Sequence, residues 1–407
     1  MISVAEALER VTSSLKPAPH ERIPVMQGLG RVLAEDVAAR LTYPPTDISA
    51  MDGYAVIAAD TTDATEAPAI LQQIGESQAG HGFSGTVNSG ETVRIFTGAP
   101  IPTGADAIVI QENTESDDQA ITMLGSVEAG TFVRPRGLDI TEGHVLRKAG
   151  HRLTARDLGL LASANLAELP VYRKPRIAYL ATGDELVMPG QTIGPDQIIS
   201  SNSIAIDACI RAFGGEPVSL GIAKDTPDSL RAALSAMDDV DMLVTIGGAS
   251  VGDYDLVQSV LGDEGLELGF YKVAMRPGKP LIFGRIKGVP MLGLPGNPVS
   301  ATVTSLLFLK PAMDILSGMP EGVVDTGTAV LGQDMAGNDQ RQDYIRASLS
   351  LNSDGNTVVM PYGRQDSAMM SLLADSDCLI IRSPHAAPAN AGDPVEIVRF
   401  GMANGAF

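Results

Sequence analysis

At 407 residues the chain is too long for one ordinary compact core and should divide into two to four domains. Apolar residues make up 44% and charged residues 19%, a balance that supports packed cores and excludes wholesale disorder. A net charge of −20 with no long basic block argues against a nucleic-acid or membrane surface. Any anionic substrate must therefore be held by individually placed Arg, Lys and backbone N–H groups.

The N-terminus places Val4, Leu8, Val11 and Leu15 at helical spacing behind a capping box of Ser3 and Glu6. It has no apolar signal core, and no run of eighteen apolar residues follows, so a cytoplasmic protein is expected. Across 42–138, Gly, Pro and Asp punctuate short β-prone runs such as ETVRIF and DAIVI, which predicts a small β-rich domain. A helical pattern returns over Leu153–Leu169. From RIAYLA onward strands and helices alternate: SIAIDACIRAFGG, VSLGIA, TPDSLRAALSAM capped by Thr226, DMLVTI, YDLVQSVL, PLIFGRI, VPMLGL and a long helix from Pro298. That alternation predicts right-handed crossovers and a three-layer α/β domain with a mainly parallel sheet. After about Gly318 only strand patterns remain, which suggests a closing β-barrel or sandwich.

Ligands of an open parallel sheet bind outside the carboxyl ends of its strands, so the loops there are the place to look. TGDEL sets Thr182 and Gly183 for backbone contacts with a phosphate and adds the carboxylates of Asp184 and Glu185, although a plain helix-capping turn would read the same. GGASVGDYD offers Gly247, Gly248 and Ser250 flanked by Asp253 and Asp255. It is neither a Walker loop nor a GxGxxG fingerprint. Asp225, after VSLGIA, lies on the same sheet edge as Asp255, and convergent carboxylates suit Mg²⁺. MRPGKP holds the cations Arg276 and Lys279 over a short arc, either for an oxyanion or as a basic surface turn. PGNPVSATV sets Asn297 before Pro298 at a helix start.

Elsewhere Asp47, Asp52 and Thr97 sit in Gly/Pro-rich loops where acids are usually turn formers. The histidines, His20, His81, His144, His151 and His385, lack zinc-site spacing, and Cys209 and Cys378 read as buried inert thiols.

Taken in order, SAMDGYAV at 49–56, RIFTGAPIP at 94–102, RPRGLDI at 134–140, LATGDEL at 180–186, SSNS at 200–203, GGASVGDYD at 247–255, RPGKP at 276–280, GLPGNPVS at 293–300 and RQDYIRA at 341–347 run through nearly the whole chain. In these motifs the sequence resembles the molybdopterin molybdenumtransferase family, the bacterial MoeA proteins and the E domain of gephyrin. The resemblance implies a discontinuous elongated dimerisation domain from 1–41 and 140–174. It also implies an inserted β-rich domain over 42–139, an α/β molybdopterin-binding domain over 175–318 and a C-terminal β-barrel over 319–407. The expected assembly is a homodimer in which Asp52, Thr97 and Asp139 reach a site shared with the other subunit.

The implied reaction is insertion of molybdate, as co-substrate, into adenylated molybdopterin, with cleavage of the pyrophosphate link and release of AMP. Asp52, Glu185, Asp225 and Asp255 are the expected catalytic residues, with Asp225 and Asp255 on Mg²⁺. Pterin and phosphate contacts fall to Thr97, Asp139, Thr182, Gly183, Asp184, Ser201, Asn202, Gly247, Gly248, Ser250, Pro295 and Asn297. Molybdate is expected at Arg276, Lys279, Pro280, Arg346 and Ser367. The family often has Lys where this chain has Arg276, which keeps the charge and adds a fork of donors. No adenylyltransferase domain is attached, so a separate partner protein is expected to supply that step. A scaffolding role, as in the gephyrin relative, and a related enzyme on another nucleotide or pterin phosphate are the competing expectations.

Overall fold

Alternating apolar runs and helices build the sheet that carries the site, as seen in a computed structural model describing residues 1–62, 64, 67–248, 262, 265–322 and 324–400. Its strands are β1 Arg176–Thr182, β2 Glu216–Ala223, β3 Met242–Ile246, β4 Glu267–Tyr271, β5 Ile282–Ile286 and β6 Val289–Leu294, in the spatial order β2-β1-β3-β6-β5-β4. The first four in that order are parallel and the last two antiparallel, in keeping with a mainly parallel sheet. Strand β3 is buried throughout, and β1 is buried from Ile177 onward, which explains their unbroken apolar runs. The chain steps from β1 out to β2 and back across to β3. A crevice therefore opens beyond the carboxyl ends of β1 and β3.

Helices cover this sheet. The first, α1 (Val4–Ser13), starts where Ser3 Oγ accepts the Glu6 N–H at 3.1 Å, and it buries Val4, Ala7 and Val11 in the core that holds Ile177, Val244 and Leu292. Helix α2 (Ser201–Ala212) stops before Gly214, whose φ of +91° suits a residue without a side chain. Helix α3 (Pro227–Ser235) starts on Thr226, whose Oγ1 accepts the Ser229 N–H at 3.3 Å. The 19-residue α4 (Pro298–Leu316) is long and apolar enough to cross a membrane by composition alone, yet 78% of it is buried inside the protein. It is a core helix. Its middle turn, Ser305–Leu309, is π-helical, and the Lys310 N–H reaches back to the Ser305 carbonyl. Pro311 follows directly and has no N–H to continue the regular ladder.

The C-terminal strands β7 Thr326–Leu331, β8 Gln342–Leu351, β9 Thr357–Pro361, β10 Cys378–Arg382 and β11 Pro394–Arg399 close in the ring β8-β9-β7-β11-β10, with β10 returning to β8. Closure satisfies the strand edges and encloses Leu331, Ala347, Val359, Ile380 and Ile397. The expectation of strands alone past Gly318 is corrected by a short helix, Met370–Ala374, between β9 and β10.

The chain clusters into two units. One comprises Met1–Glu35, Ala149–Ala155 and Leu169–Phe407; the other comprises Asp36–Lys148 and Arg156–Glu168. The second unit contains a six-stranded sheet ordered Ala107–Ile110, Gly53–Val56, Glu91–Ile95, Ala69–Ser77, Ala120–Met123 and Thr114–Asp117. Its apolar faces bury Tyr54, Val56, Val109 and Ile121 on one side and Ala55, Val93, Ile95 and Ile108 on the other. The helix expected over Leu153–Leu169 is shorter, Ala155–Ser163. Asn165 then adopts φ +62°, a left-handed conformation that breaks the helix, and Glu168–Tyr172 is a strand.

Candidate functional site

A cleft of about 430 Å³ opens at the carboxyl edge of the sheet, between the ends of β1 and β3. The end of β1 contributes Thr182, Gly183 and Glu185, and that of β3 contributes Ile246, Gly247 and Gly248. Glycine is required at two of these positions. Gly247 has φ +91°, and a Cβ there would meet the Thr182 carbonyl oxygen at 2.9 Å. Gly183 has φ +149°, and its Cβ would collide with the Glu185 carboxylate.

Polar atoms are left waiting in this cleft. Thr182 is 6% exposed, and its Oγ1 is buried without a hydrogen-bond partner among the described residues. Asn202 is similar: its Nδ2 donates to the Gly296 carbonyl at 2.7 Å while its buried Oδ1 is unpartnered among the same residues. An unsatisfied buried polar group costs about 1–3 kcal/mol, so a polar ligand that supplies the missing partners is favoured here. Helices α2 and α4 also begin at the cleft, with no side-chain cap on either. Asn297 turns away instead, donating from Nδ2 to Ser367 Oγ at 3.0 Å, while the Val299 N–H donates to the Ser367 carbonyl at 3.1 Å. The start of α2 favours an anion, whereas at α4 Pro298 has no N–H and that of Val299 is taken.

Glu185 and Asp225 bring carboxylates to the cleft, and the Asp225 N–H donates to Asp184 Oδ1 at 3.3 Å. Oxygen-only donors of this kind fit a hard cation such as Mg²⁺. Ser250, Asp253 and Asp255 lie outside the described residues.

Sequence models for three regions of one family match along the chain: the MoeA N-terminal region (domain I and II) over 2–165, a "probable molybdopterin binding domain" over 178–314, and the MoeA C-terminal region (domain IV) over 328–400. The molybdopterin molybdenumtransferase 2 of Mycobacterium tuberculosis is 36% identical over 93% of this chain and 95% of its own. The molybdopterin molybdenumtransferase of Haemophilus influenzae is 32% identical over 98% and 99%. The chain belongs to the molybdopterin molybdenumtransferase family. A solved molybdopterin biosynthesis MoeA protein from Pyrococcus horikosii superposes with a TM-score of 0.83 at 33% identity, covering 98% of this chain and 99% of that one. The protein is thus a transferase with a role in molybdenum cofactor biosynthesis.

Against that family background, the two arginines expected to hold molybdate are already engaged. Arg276 pairs with Asp343, which is 4% exposed, and approaches Asp339 at 3.7 Å. Arg346 is 1% exposed and donates to Gln365 and to the carbonyls of Asp366 and Met369. Arg346 thus organises a loop through its carbonyls, whereas Arg276 is held by carboxylates with its side chain half exposed. Lys279 is exposed beside half-buried Pro280. Ser367 bonds to the start of α4, and its neighbour Ala368 lines the cleft. Ser201 and Asn297 line the cleft as well, and Pro295 is buried behind the turn that carries Asn297.

Asp52, Thr97 and Asp139 lie in the second unit. Asp52 Oδ1 accepts the Thr97 backbone N–H at 2.7 Å and its hydroxyl at 2.8 Å. Those two bonds, helped by the Arg94 charge, hold the Asp52 carboxyl below its ordinary value of 3.8. Arg94 stacks over the rings of Tyr54 and Phe96. Asp139 is exposed, with its N–H donating to the Tyr43 carbonyl at 3.2 Å. Asp47 ties two distant loops together, its Oδ1 accepting the Arg136 N–H at 2.7 Å. Burial pushes the thiols of Cys209 and Cys378 up to about 11 and about 12, which keeps both protonated and inert. Sequence reasoning missed Leu186, Ile198 and Ala368 as cleft wall and Gln365 as a loop support. None of them carries a chemical signature in sequence.

Proposed function

We propose that the protein inserts molybdate into adenylated molybdopterin, with Mg²⁺-dependent cleavage of the pyrophosphate link and release of AMP. The observation that carries this reading is the cleft between β1 and β3, where Thr182 Oγ1, unpartnered among the described residues, and the uncapped start of α2 favour a phosphorylated ligand. Thr182, Gly183, Asn202, Gly247 and Gly248 would hold the phosphate and the adjoining pterin. Asp225, with Asp255, would hold Mg²⁺, which when bound offsets the negative charge on the pyrophosphate oxygens. Lys279 and Ser367 would receive molybdate, whose oxygens accept charge-assisted hydrogen bonds as a phosphate's do. Glu185 is the group for proton handling or ligand orientation.

The proposal includes a cytoplasmic homodimer, with Asp52, Thr97 and Asp139 of a second copy contributing to the substrate site, and a separate adenylyltransferase that supplies the substrate. The deciding experiment incubates pure protein with adenylated molybdopterin, Mg²⁺ and molybdate, and reads AMP release and molybdenum content. AMP and metallated cofactor are expected together; with neither, only a binding role would remain.

A further inference from the structure

A buried guanidinium ordinarily has a carboxylate partner, because an uncompensated charge away from water is costly. Among the described residues Arg346 has neutral ones. Its Nε donates to Gln365 Oε1 at 3.3 Å, Nη1 to the Met369 carbonyl at 2.9 Å and Nη2 to the Asp366 carbonyl at 2.9 Å. Gln365 is built into this seat from both ends. Its Oε1 also accepts the Arg346 backbone N–H at 3.0 Å, and its Nε2 donates to the carbonyls of Arg346 and Tyr362 at 3.1 and 2.8 Å. The Asp366 carboxylate acts on Arg346 only at a distance, and its Oδ1 is taken by the Ala368 N–H at 2.8 Å. Three acceptors on one short loop are thus drawn onto a single cation whose charge is not cancelled by direct pairing. The same loop carries Ser367 to Asn297 and Val299, and Ala368 to the cleft wall.

We infer that Gln365 is a positioning and specificity residue for the oxyanion: its neutrality leaves the Arg346 charge in force beneath the Ser367 edge of the cleft, and its amide holds that edge in place. The inference rests on the reading of the cleft as a molybdenum-insertion site. A carboxylate at position 365 would still accept from Arg346, but it would cancel the charge and lose the donor to the Arg346 and Tyr362 carbonyls.

The test compares wild type with Gln365→Glu and Gln365→Leu. It measures molybdate binding by equilibrium dialysis with metal analysis, the KM values for molybdate and for adenylated molybdopterin, and thermal stability. Gln365→Glu is expected to fold with a lowered melting temperature, because an oxygen replaces the Nε2 donor to the Arg346 and Tyr362 carbonyls, and to weaken molybdate binding and raise its KM about tenfold as the Arg346 charge is cancelled. The KM for adenylated molybdopterin should stay put. Gln365→Leu should lose stability and molybdate binding together. Unchanged molybdate binding in a folded Gln365→Glu protein overturns the inference, as does a wild type that binds no molybdate. A wild type that binds molybdate but releases no AMP would instead overturn the proposed reaction and leave the binding comparison intact.

Discussion

Gly247 packs against Thr182 so closely that a β-carbon on the glycine would lie 2.9 Å from the threonine carbonyl oxygen, and this contact brings the ends of β3 and β1 together beneath the cleft. Gly247→Ala adds that carbon at φ +91°. The substitution should cost about 1–3 kcal/mol in backbone strain and widen the crevice. Chemical denaturation will read the first effect, and a rise in KM for the adenylated pterin the second.

Asp225 faces the cleft alongside Glu185. Asp225→Asn preserves size and removes the charge a hard cation needs, so AMP release should fall at least about a hundredfold with little change in melting temperature. Wild-type turnover in this variant would remove Asp225 from the metal site.

Arg276 and Lys279 sit three residues apart but differ in company. Arg276 is tied to Asp343, whose Oδ1 is already buried without a partner among the described residues, whereas Lys279 is exposed. Arg276→Ala should strand the Asp343 carboxylate and cost about 1–2 kcal/mol of stability, a figure reduced from that of a fully buried pair because the arginine is half exposed. Lys279→Ala should leave stability unchanged and weaken molybdate use more than binding of the adenylated pterin. Denaturation curves and paired KM measurements on the two variants separate these outcomes.

Asp52 gives a pH prediction. Its carboxyl is held below 3.8 by the two Thr97 bonds, so the folded state favours the ionised form. The resulting stabilisation is fully present above 3.8 and is lost as pH falls through the lower folded value. Carbon-detected NMR titration should place the Asp52 midpoint below 3.8. The stability gap between wild type and Asp52→Asn should be widest near neutral pH and shrink in acid.

Much of the fold was readable because its signals are local. Ser3 and Thr226 accept the expected N–H bonds at their helix starts, and RIAYLA, VSLGIA, DMLVTI and VPMLGL form the four parallel strands whose following loops were singled out. The helix over Leu153–Leu169 was overextended because Asn165, an acceptable helical residue by composition, is the point where the chain turns left-handed. Ala368 and Gln365 were invisible as site residues. They belong to a loop of the barrel, where the family resemblance pointed to Ser367 alone and neither neighbour carries a chemical signature of the α/β cleft that the loop reaches.

By itself the sequence determined the order of strands and helices, the glycines a crowded sheet edge would need, and the acidic and basic residues on offer. Those follow from periodicity, capping and backbone permissiveness, each decided within a few residues. Only the tertiary structure decided which cations are spoken for. Whether Arg276 is tied to Asp343 and Arg346 is sunk beneath the Ser367 loop depends on residues far apart in the chain meeting in a buried place. Pairing there is set by desolvation and geometry rather than by residue type.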